Sequence, residues 1–440
     1  MSLTGRAGLA ALLGAFVVGL ALPSWTGVLL VCGVLLLGIV VDLALAGGVR
    51  GLRLTRSGAR AVRLGERAEV VLTVTNPGRR RVRGVLRDAW PPSAGASSDL
   101  GSPATTTAQR HAIDVPAGGS GRVLTELRPT RRGDRTADRV TVRSVGPLGL
   151  AARQGSHRVP WTVRALPPFH SHKHLPSRLA GLRELDGRAA MVRGQGTEFD
   201  SLREYVVGDD VRSIDWRASA RAADVMVRTW RPERNRRVLI VLDTGRTSAG
   251  RVGDAPRLDA ALDAALLLAA LATKAGDRVD LLAHDRTVRA LVQGVTATEL
   301  LPTLVNAMAP LEPALVESDM RAMAAQVLRH VRHRALVVLL TGLDAAPVEA
   351  GLLPVLPLLT ARHTVLVASV ADPHLDTMAA GRGSAAAVYD AAAAERARAQ
   401  RRQVTALLRR YRVEVVDAVP ADLPPALADR YLTLKAAARL

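Results

Sequence analysis

The chain has 440 residues, of which 48% are hydrophobic and only 3% aromatic, and its formal net charge is +20. This length allows two or three domains, whose cores must be built mainly from aliphatic side chains. The single cysteine, Cys32, excludes an intramolecular disulfide and a cysteine-based zinc cluster.

Two apolar runs predict a transmembrane helical hairpin at residues 1–50. The runs cover residues 7–22 and 25–41, and each is near the short end of the roughly 17–25 residues that span a bilayer. A cleavable signal peptide would have only one such run, so the alternative is a buried or re-entrant hairpin. Arginines flank the hairpin and none lies in its turn. The positive-inside bias therefore predicts a cell-membrane protein with two helices and cytoplasmic large domains.

Residues 51–166 are predicted to form an immunoglobulin-like β-sandwich. Short stretches alternate apolar and polar residues between glycine and proline turns, and Val70, Leu72 and Val74 are expected to face the core. Residues 50–165 contain 22 arginines and 8 acidic residues, a surplus of 14. Because this region follows the hairpin directly, the surplus predicts a surface that faces anionic lipid. Nucleic-acid binding is a weaker alternative, since no aromatic residues are interleaved to stack bases.

Residues 167–236 are predicted to form a linker and a signature segment, and residues 237–440 an α/β domain. The linker histidines His170, His172 and His174 have no carboxylate nearby, which is typical of exposed loop residues rather than metal ligands. In the last region, buried-strand patterns alternate with helical patterns, which predicts a doubly wound parallel sheet. The strands are expected at 238–243, 277–285, 335–344, 363–370 and 413–419, and the main helices at 257–275, 298–308, 318–332 and 388–411.

Two carboxylates, Asp243 and Asp344, follow strands of this domain that are expected to be neighbours. Ligands of doubly wound sheets bind beyond the carboxyl ends of the strands, where the strand order reverses. Two carboxylates at that point could hold a hard divalent cation with the help of hydroxyl groups.

Two stretches resemble known families. "VLIVLDTGRTSAG" resembles the first loop of a von Willebrand factor A-type domain, whose adhesion-type metal site uses Asp-x-Ser-x-Ser. "GQGTEFDSLREYVVGDDVRSIDWRASAR" is similar to the signature of a membrane-anchored family called domain of unknown function 58. That similarity is carried by Gly194, Gly196, Glu198, Phe199, Leu202, Arg203, Tyr205, Gly208, Asp209, Arg212, Ile214, Trp216 and Ala220. The same block also contains Asp210, Asp215 and Arg221, which complete the predicted interaction segment.

The first resemblance implies a metal site that departs from the family pattern. The corresponding ligands are Asp243, Thr247, Ser318 and Asp344, and Mg²⁺ is the cation that they would hold. Gly245 stands where the first hydroxyl belongs, and Gly342 stands where the third loop would have its carboxylate. Arg246 adds a positive charge that disfavours a cation. A weakened cation site and a vestigial site kept for its shape both remain open, so no cofactor is certain.

Residues 206–221 combine three carboxylates, three arginines and Trp216, but they lack a histidine, a cysteine or a serine beside a base. This composition argues against an active site. Asp215 and Arg212 are expected to share a helical face, with Val211, Ile214 and Ala218 on the buried side. Ion-pair stitching of the two globular domains and a recognition surface for a partner remain the two main interpretations.

These observations lead to a hypothesis of a membrane-tethered, non-enzymatic adaptor without catalytic residues. The family resemblance implies a MoxR-type AAA+ ATPase as its protein partner and a chaperone-like or envelope-related role; no nucleic-acid partner is expected. The alternative is a metal-dependent hydrolase at the Asp243/Asp344 crevice, with His284 or Asp285 approaching from the next strand end.

Overall fold

A computed structural model of the chain describes residues 1–21, 23–97, 109–191, 198–222, 224–231 and 236–437. The chain divides into two units, Met1–Pro168 and Phe169–Leu440. The predicted hairpin and sandwich therefore belong to one unit. The predicted linker and signature segment belong, apart from the first two residues of the linker, to the same unit as the α/β domain.

The N-terminal apolar runs form two helices, α1 (Gly5–Ala21) and α2 (Trp25–Leu45). The helices approach closely, because a Cβ added to Gly14 would lie 2.4 Å from Cγ1 of Val31. Among the described residues, α2 is long and apolar enough to cross a membrane by length and composition, whereas α1 is a shorter apolar helix. The two helices of the hairpin are confirmed, and their crossing of a membrane stays a prediction.

The rest of the first unit consists of two antiparallel sheets. The strands are β1 (Ser2–Leu3), β2 (Arg53–Gly58), β3 (Ala61–Arg63), β4 (Ala68–Thr75), β5 (Val82–Asp88), β6 (Ala96–Ser97), β7 (Gln109–Val115), β8 (Ser120–Leu127), β9 (Gly133–Val145) and β10 (Ala151–Leu166). One sheet has the order β1-β10-β9-β5-β7, and β3 pairs with β10 in parallel; the other has the order β2-β4-β8-β6.

The two sheets pack across a shared aliphatic core, as a sandwich does. Leu72 and Val74 of β4 belong to the same buried cluster as Leu86 of β5 and Val142 of β9. The alternation predicted for β4 is confirmed, because every second residue from Ala68 is buried. The arginine surplus is not purely a surface feature, since a fully buried Arg56 side chain pairs with Asp88 inside this sandwich.

The second unit contains a small hairpin and a six-stranded sheet with helices. The strands are β11 (Glu198–Glu204), β12 (Met226–Arg231), β13 (Arg237–Asp243), β14 (Arg251–Val252), β15 (Ala255–Pro256), β16 (Arg278–His284), β17 (Val288–Val292), β18 (Leu336–Leu340), β19 (Thr364–Val370) and β20 (Glu414–Ala418). The helices are α3 (Leu175–Met191), α4 (Trp216–Ser219), α5 (Arg246–Ala249), α6 (Arg257–Lys274), α7 (Ala297–Met308), α8 (Met320–His330), α9 (Ala345–Pro347), α10 (Leu356–Thr360), α11 (His374–Ala379), α12 (Ala385–Arg410) and α13 (Leu423–Ala436).

The large sheet has the order β17-β16-β13-β18-β19-β20. Its strands are parallel except β17, which pairs antiparallel with β16. The prediction of an all-parallel sheet is therefore wrong at one edge, where a short turn returns the chain directly. The strand order reverses between β13 and β18, which places a switch point at the centre of the sheet.

The segment predicted as a linker is mostly folded. His170–His174 form a 3₁₀ turn, and α3 follows at once. The Ser171 hydroxyl donates to the Asp263 carboxylate of α6 over 2.8 Å. Burial raises the pKa of Asp263, against the opposing effect of the hydrogen bonds from Ser171. The sequence predicted a linker here because the residues of α6 that this segment contacts lie far away in the sequence.

Candidate functional site

The switch point of the sheet brings together side chains from three loops. β13 and β18 are continuous aliphatic strands, buried along their lengths, and they pair in parallel from Val238 with Leu336 to Leu242 with Leu340. Their carboxyl ends therefore lie side by side. Asp243 ends β13, and Asp344 follows β18 after a short loop. We call the space between these strand ends the crevice.

Asp243 is the centre of the crevice and is only 3% exposed. Its Oδ1 accepts hydrogen bonds from the Ser318 hydroxyl (2.5 Å) and the Gly245 amide (2.9 Å). Its Oδ2 accepts from the hydroxyls of Thr341 (2.6 Å) and Thr247 (2.9 Å). Four donors from three loops thus satisfy one buried carboxylate, which is the arrangement that a buried charge requires.

The four residues predicted as metal ligands are brought together. A Cβ added to Gly342 would lie 2.8 Å from Asp344 Oδ2 and 3.1 Å from Thr247 Cβ, so Asp344 borders the same space as Thr247. The guanidinium of Arg257, at the start of α6, lies 3.3 Å from the same Asp344 oxygen.

The oxygen ligands are of the kind that Mg²⁺ takes, but Arg257 supplies a positive charge in its place. As arranged, the set fits a divalent cation only if this guanidinium leaves Asp344. No group of three histidine, cysteine or acidic side chains suited to a metal occurs among the described residues. Metal binding stays a prediction.

His284 ends β16 and is the register partner of Asp243. Its ring and the side chains of Asp243 and Ser318 line a gap too small to admit a water molecule. Burial lowers the pKa of His284, against the opposing effect of nearby acids such as Asp285. The buried Nδ1 atom of His284 has no hydrogen-bond partner in the described part of the chain. Burial therefore favours the neutral form of His284 beside the crevice.

Asp285, the other expected approach to the crevice, is held by its own turn. Its carboxylate accepts hydrogen bonds from the amides of Arg286 (2.6 Å) and Thr287 (3.1 Å). Burial alone would raise the pKa of Asp285, but these amides, Arg289 and the Thr244 hydroxyl together outweigh it, so the pKa lies below its usual value. Because its oxygens are engaged in this way, Asp285 is a structural residue of the β16–β17 turn.

The signature segment forms a separate hairpin of β11 and β12, with a folded connection between the strands. Asp215 caps α4 by accepting from the amides of Arg217 and Ala218, each at 3.0 Å, and it pairs with Arg228 of β12. The Ala218 amide and Arg228 lower the pKa of Asp215. The expectation that Asp215 and Arg212 share a helical face is wrong, because Arg212 lies in a 3₁₀ turn and Asp215 caps the separate helix α4.

A second carboxylate is fixed in the same local way. Asp209 pairs with Arg203 of β11 and accepts from the Val206 amide over 3.0 Å. The Arg203 side chain lowers the pKa of Asp209. Gly208, with φ of +111°, makes the turn before it, a backbone conformation that side-chain-bearing residues rarely adopt. The ion pairs of Asp209 and Asp215 both join residues within the hairpin.

These internal bonds leave an apolar surface exposed. The exposed fraction is 95% for Val207, 65% for Val211 and 70% for Trp216. The expectation that Val211 lies on a buried helix face is wrong, whereas Ala218 is half-buried as expected. We call this surface, formed by Val206, Val207, Val211 and Trp216, the signature patch.

The remaining signature residues have simpler positions. Gly194 and Gly196 lie outside the described residues, and the backbones of Glu198 and Phe199 lie in β11. Asp210 caps the 3₁₀ turn Val211–Ser213 through the Arg212 amide at 3.0 Å. The Tyr205 amide donates to the Val225 carbonyl, and the Arg221 side chain is exposed. Within the described residues, the segment is thus a hairpin built from local hydrogen bonds.

A comparison with protein-family models matches residues 201–417 to the family described as "Protein of unknown function DUF58". Residues 201–417 are a DUF58 family domain. The crevice and the signature patch both lie within this DUF58 domain.

Relatives of the chain come from mycobacteria. Uncharacterized protein Rv1480 of Mycobacterium tuberculosis (strain ATCC 25618 / H37Rv) is 27% identical over 198 residues, which are 43% of this chain and 62% of the relative. Uncharacterized protein Mb1516 of Mycobacterium bovis (strain ATCC BAA-935 / AF2122/97) matches to the same extent. The match thus spans less than two thirds of the relatives' own length.

Solved structures resemble a smaller part of the chain. The CARDB domain of the PF1109 protein from Pyrococcus furiosus is 14% identical, with a TM-score of 0.19, and the match covers 26% of this chain and 86% of that domain. A PapD-like domain of human CEP192 is also 14% identical, with a TM-score of 0.16, and the match covers 26% of this chain and 84% of that domain.

Sequence reasoning missed two residues of the crevice. Thr341 donates to Asp243, and Arg257 pairs with Asp344. Thr341 directly precedes Gly342 at the end of β18, so its place at the strand end was a usable signal. Nothing local pointed to Arg257, because it lies 87 residues from its partner.

Proposed function

We propose that the protein is a membrane-tethered, non-enzymatic adaptor whose DUF58 domain binds another protein. In this proposal the hairpin of α1 and α2 spans the membrane twice, and both large domains are cytoplasmic. The sandwich is immunoglobulin-like, and the α/β domain is von Willebrand factor A-like. The partner is a MoxR-type AAA+ ATPase, as the family resemblance implies, in a chaperone-like or envelope-related role.

The signature patch is the observation that carries this proposal. Trp216 and three valines that precede it in the chain are exposed on the connection between β11 and β12, and tryptophan is among the residues that dominate the energy of protein interfaces. Arg217 and Arg221, both exposed, follow Trp216 in the same connection and are candidates for the polar rim that such interfaces have. The internal ion pairs hold the patch in shape before binding, which reduces the entropy lost on association.

The crevice supports the same proposal from another direction. Each oxygen of Asp243 already accepts two hydrogen bonds, and Asp344 faces an arginine. A general base needs a free acceptor within hydrogen-bond reach of its substrate. These carboxylates hold the three loops together. This arrangement suits a rigid surface that binds another protein better than it suits proton transfer.

The test is a binding measurement between purified proteins. The detergent-solubilised full chain is mixed with the MoxR-type ATPase of the same organism, with and without ATP and Mg²⁺, and captured. We expect the ATPase to be retained by the wild-type chain and lost with Trp216→Ala. Tyr389→Ala is the matched control, because Tyr389 is an equally exposed aromatic residue of the same domain, at 78%. Failure to capture the ATPase in any nucleotide state would contradict the proposed partnership.

A metal-dependent hydrolase at the crevice is the second candidate. It is favoured by His284 beside Asp243, because burial lowers the pKa of this histidine and its Nδ1 atom has no hydrogen-bond partner among the described residues. Thermal unfolding of the full chain in Mg²⁺ and in EDTA separates the candidates. The adaptor proposal expects no difference for the wild-type chain, but stabilisation by Mg²⁺ for Arg257→Gln, in which Asp344 is free. Stabilisation of the wild-type chain that disappears in Asp243→Asn would favour the hydrolase instead.

A further inference from the structure

Helix α2 is fastened to the turn between β9 and β10, residues 146–150. Asp42, three residues before the end of α2, is fully buried. Its carboxylate accepts hydrogen bonds from the amides of Leu148 (2.7 Å), Leu150 (2.5 Å) and Ala151 (2.9 Å). A side chain at position 146 would collide with this carboxylate, because a Cβ on Gly146 would lie 2.3 Å from Asp42 Oδ1. The Asp42 carboxylate thus joins α2 to the sandwich through three hydrogen bonds.

The N-terminal strand holds the same turn from the other side. β1 pairs with the first residues of β10. The Thr4 amide donates to the Leu150 carbonyl over 3.0 Å, and the Thr4 hydroxyl donates to the Gly149 carbonyl over 2.5 Å. The chain therefore contacts the turn both before α1 and at the end of α2, so the turn has a fixed position relative to the helix.

That position is part-way along α2. A Cβ on Gly38 would lie 2.9 Å from Leu150 Cδ1 and 3.9 Å from Leu148 Cδ1. Gly38 precedes Leu45, the last residue of α2, by seven residues, which is about 10 Å along a helix axis. The whole helix is about 30 Å long, close to the thickness of a bilayer's hydrocarbon core. A spanning α2 would therefore carry these two leucines below the membrane surface.

The exposure and charge of this end of the sandwich fit a lipid surface. Leu148 is 52% exposed at the tip of the turn, next to a helix in which only 6% of an 18-residue apolar stretch is buried. The neighbouring β4–β5 turn exposes Arg79 and Arg80. It passes just beyond the end of α2, since a Cβ on Gly47 would lie 2.4 Å from the Arg81 carbonyl oxygen. Arg6 also lies against the turn, since a Cβ on Gly149 would lie 3.0 Å from its Nη1. Exposed leucine on the turn suits acyl chains, and the arginines beside it suit anionic headgroups at the membrane surface.

We propose that the 146–150 turn inserts into the bilayer beside α2, so that the sandwich is attached to the membrane at a second point. The inference rests on the membrane tether proposed above. The inserted turn and the hydrogen bonds of Asp42 together restrict rotation of the sandwich about the end of α2. The ligand of this surface is the phospholipid bilayer itself.

The test places a fluorescent reporter at the tip of the turn. The full chain carrying Cys32→Ser and Leu148→Cys is labelled with an environment-sensitive dye and reconstituted into vesicles of phosphatidylcholine and phosphatidylglycerol. We expect a blue-shifted emission, quenching by lipids that carry a spin label on the acyl chain, and loss of quenching by aqueous iodide. Glu66→Cys is the matched control, in an exposed turn after β3, which pairs with the opposite end of β10. Its label should be quenched by iodide.

The outcomes separate this inference from the proposed tether. A chain that floats with the vesicles while its Leu148→Cys label is quenched by iodide as strongly as the Glu66→Cys label would overturn the insertion alone. A chain that does not float with the vesicles would overturn both the insertion and the membrane tether. A protected label at position 148 in a floating chain supports the inference.

Discussion

Two carboxylate-rich parts of the DUF58 domain are built in opposite ways. In the signature hairpin, Asp209 and Asp215 accept hydrogen bonds from amides two or three residues away and pair with arginines 6 and 13 residues away. In the crevice, Asp243 binds the hydroxyls of Ser318 and Thr341, which are 75 and 98 residues away. The hairpin therefore holds its acids locally and exposes apolar surface. The crevice uses one acid to join distant loops, and this contrast predicts different responses to mutation and pH.

Loss of the crevice carboxylate should have the largest effect. Asp243→Ala leaves three hydroxyls and one amide without their buried acceptor, so we expect a loss of about 3 kcal/mol or more in unfolding free energy. Hydrogen exchange of β13 and β18 peptides in the full chain measures it. Asp254→Ala, in an exposed turn, should leave the exchange of both strands unchanged. If these peptides exchange as slowly in Asp243→Ala as in the wild-type chain, the four hydrogen bonds do not stabilise the sheet.

Acidification should affect the crevice before the hairpin. The pKa of folded His284 lies below its ordinary 6.5, so the unfolded chain binds the proton first as pH falls. Stability should therefore decline as pH drops below about 6.5, which unfolding followed by circular dichroism measures. In His284→Gln this decline should be smaller, whereas His333→Gln, at an exposed position, should keep it. If His284→Gln and the wild-type chain have the same pH profile of stability, His284 is not the source of the decline.

The hairpin acids should lose their stabilisation in the same direction, but at lower pH. The pKa values of Asp209 and Asp215 lie below their ordinary 3.8, so their stabilisation is complete above that pH and is lost only as pH falls through the lower folded values.

The smallest effect is expected for the hairpin cap. Asp215→Asn keeps an oxygen that can cap α4 but loses the ion pair with Arg228. We expect faster hydrogen exchange at Arg217 and Ala218 and no change in the β13 and β18 strands, because the bonds lost are local. Asp224→Asn, an exposed acid of the same hairpin, serves as control. Faster exchange in the large sheet would show that the hairpin and the crevice are coupled.

Much of the α/β architecture could be predicted from the sequence alone. Continuous aliphatic runs such as the one in β13 can be buried on both faces only in a central strand, and α6 ends at Lys274, two residues before Gly276, whose φ is +78°. The alternation in β4 likewise fixed which residues face the sandwich core. These features follow from local periodicity and backbone preference, which each segment carries in its own residues.

Other features were decided by the tertiary structure. Four features depend on partners far apart in sequence: the direction of β17, the docking of Ser171 on α6, the Asp344–Arg257 pair and the hydrogen bonds of Asp42. The exposure of Val211 depended on a break in the expected helix. Sequence by itself determined which segments become strands and helices, because backbone periodicity is local. Only the folded chain decided which charges meet, because a buried charge takes whichever donors the packing of distant segments brings within reach.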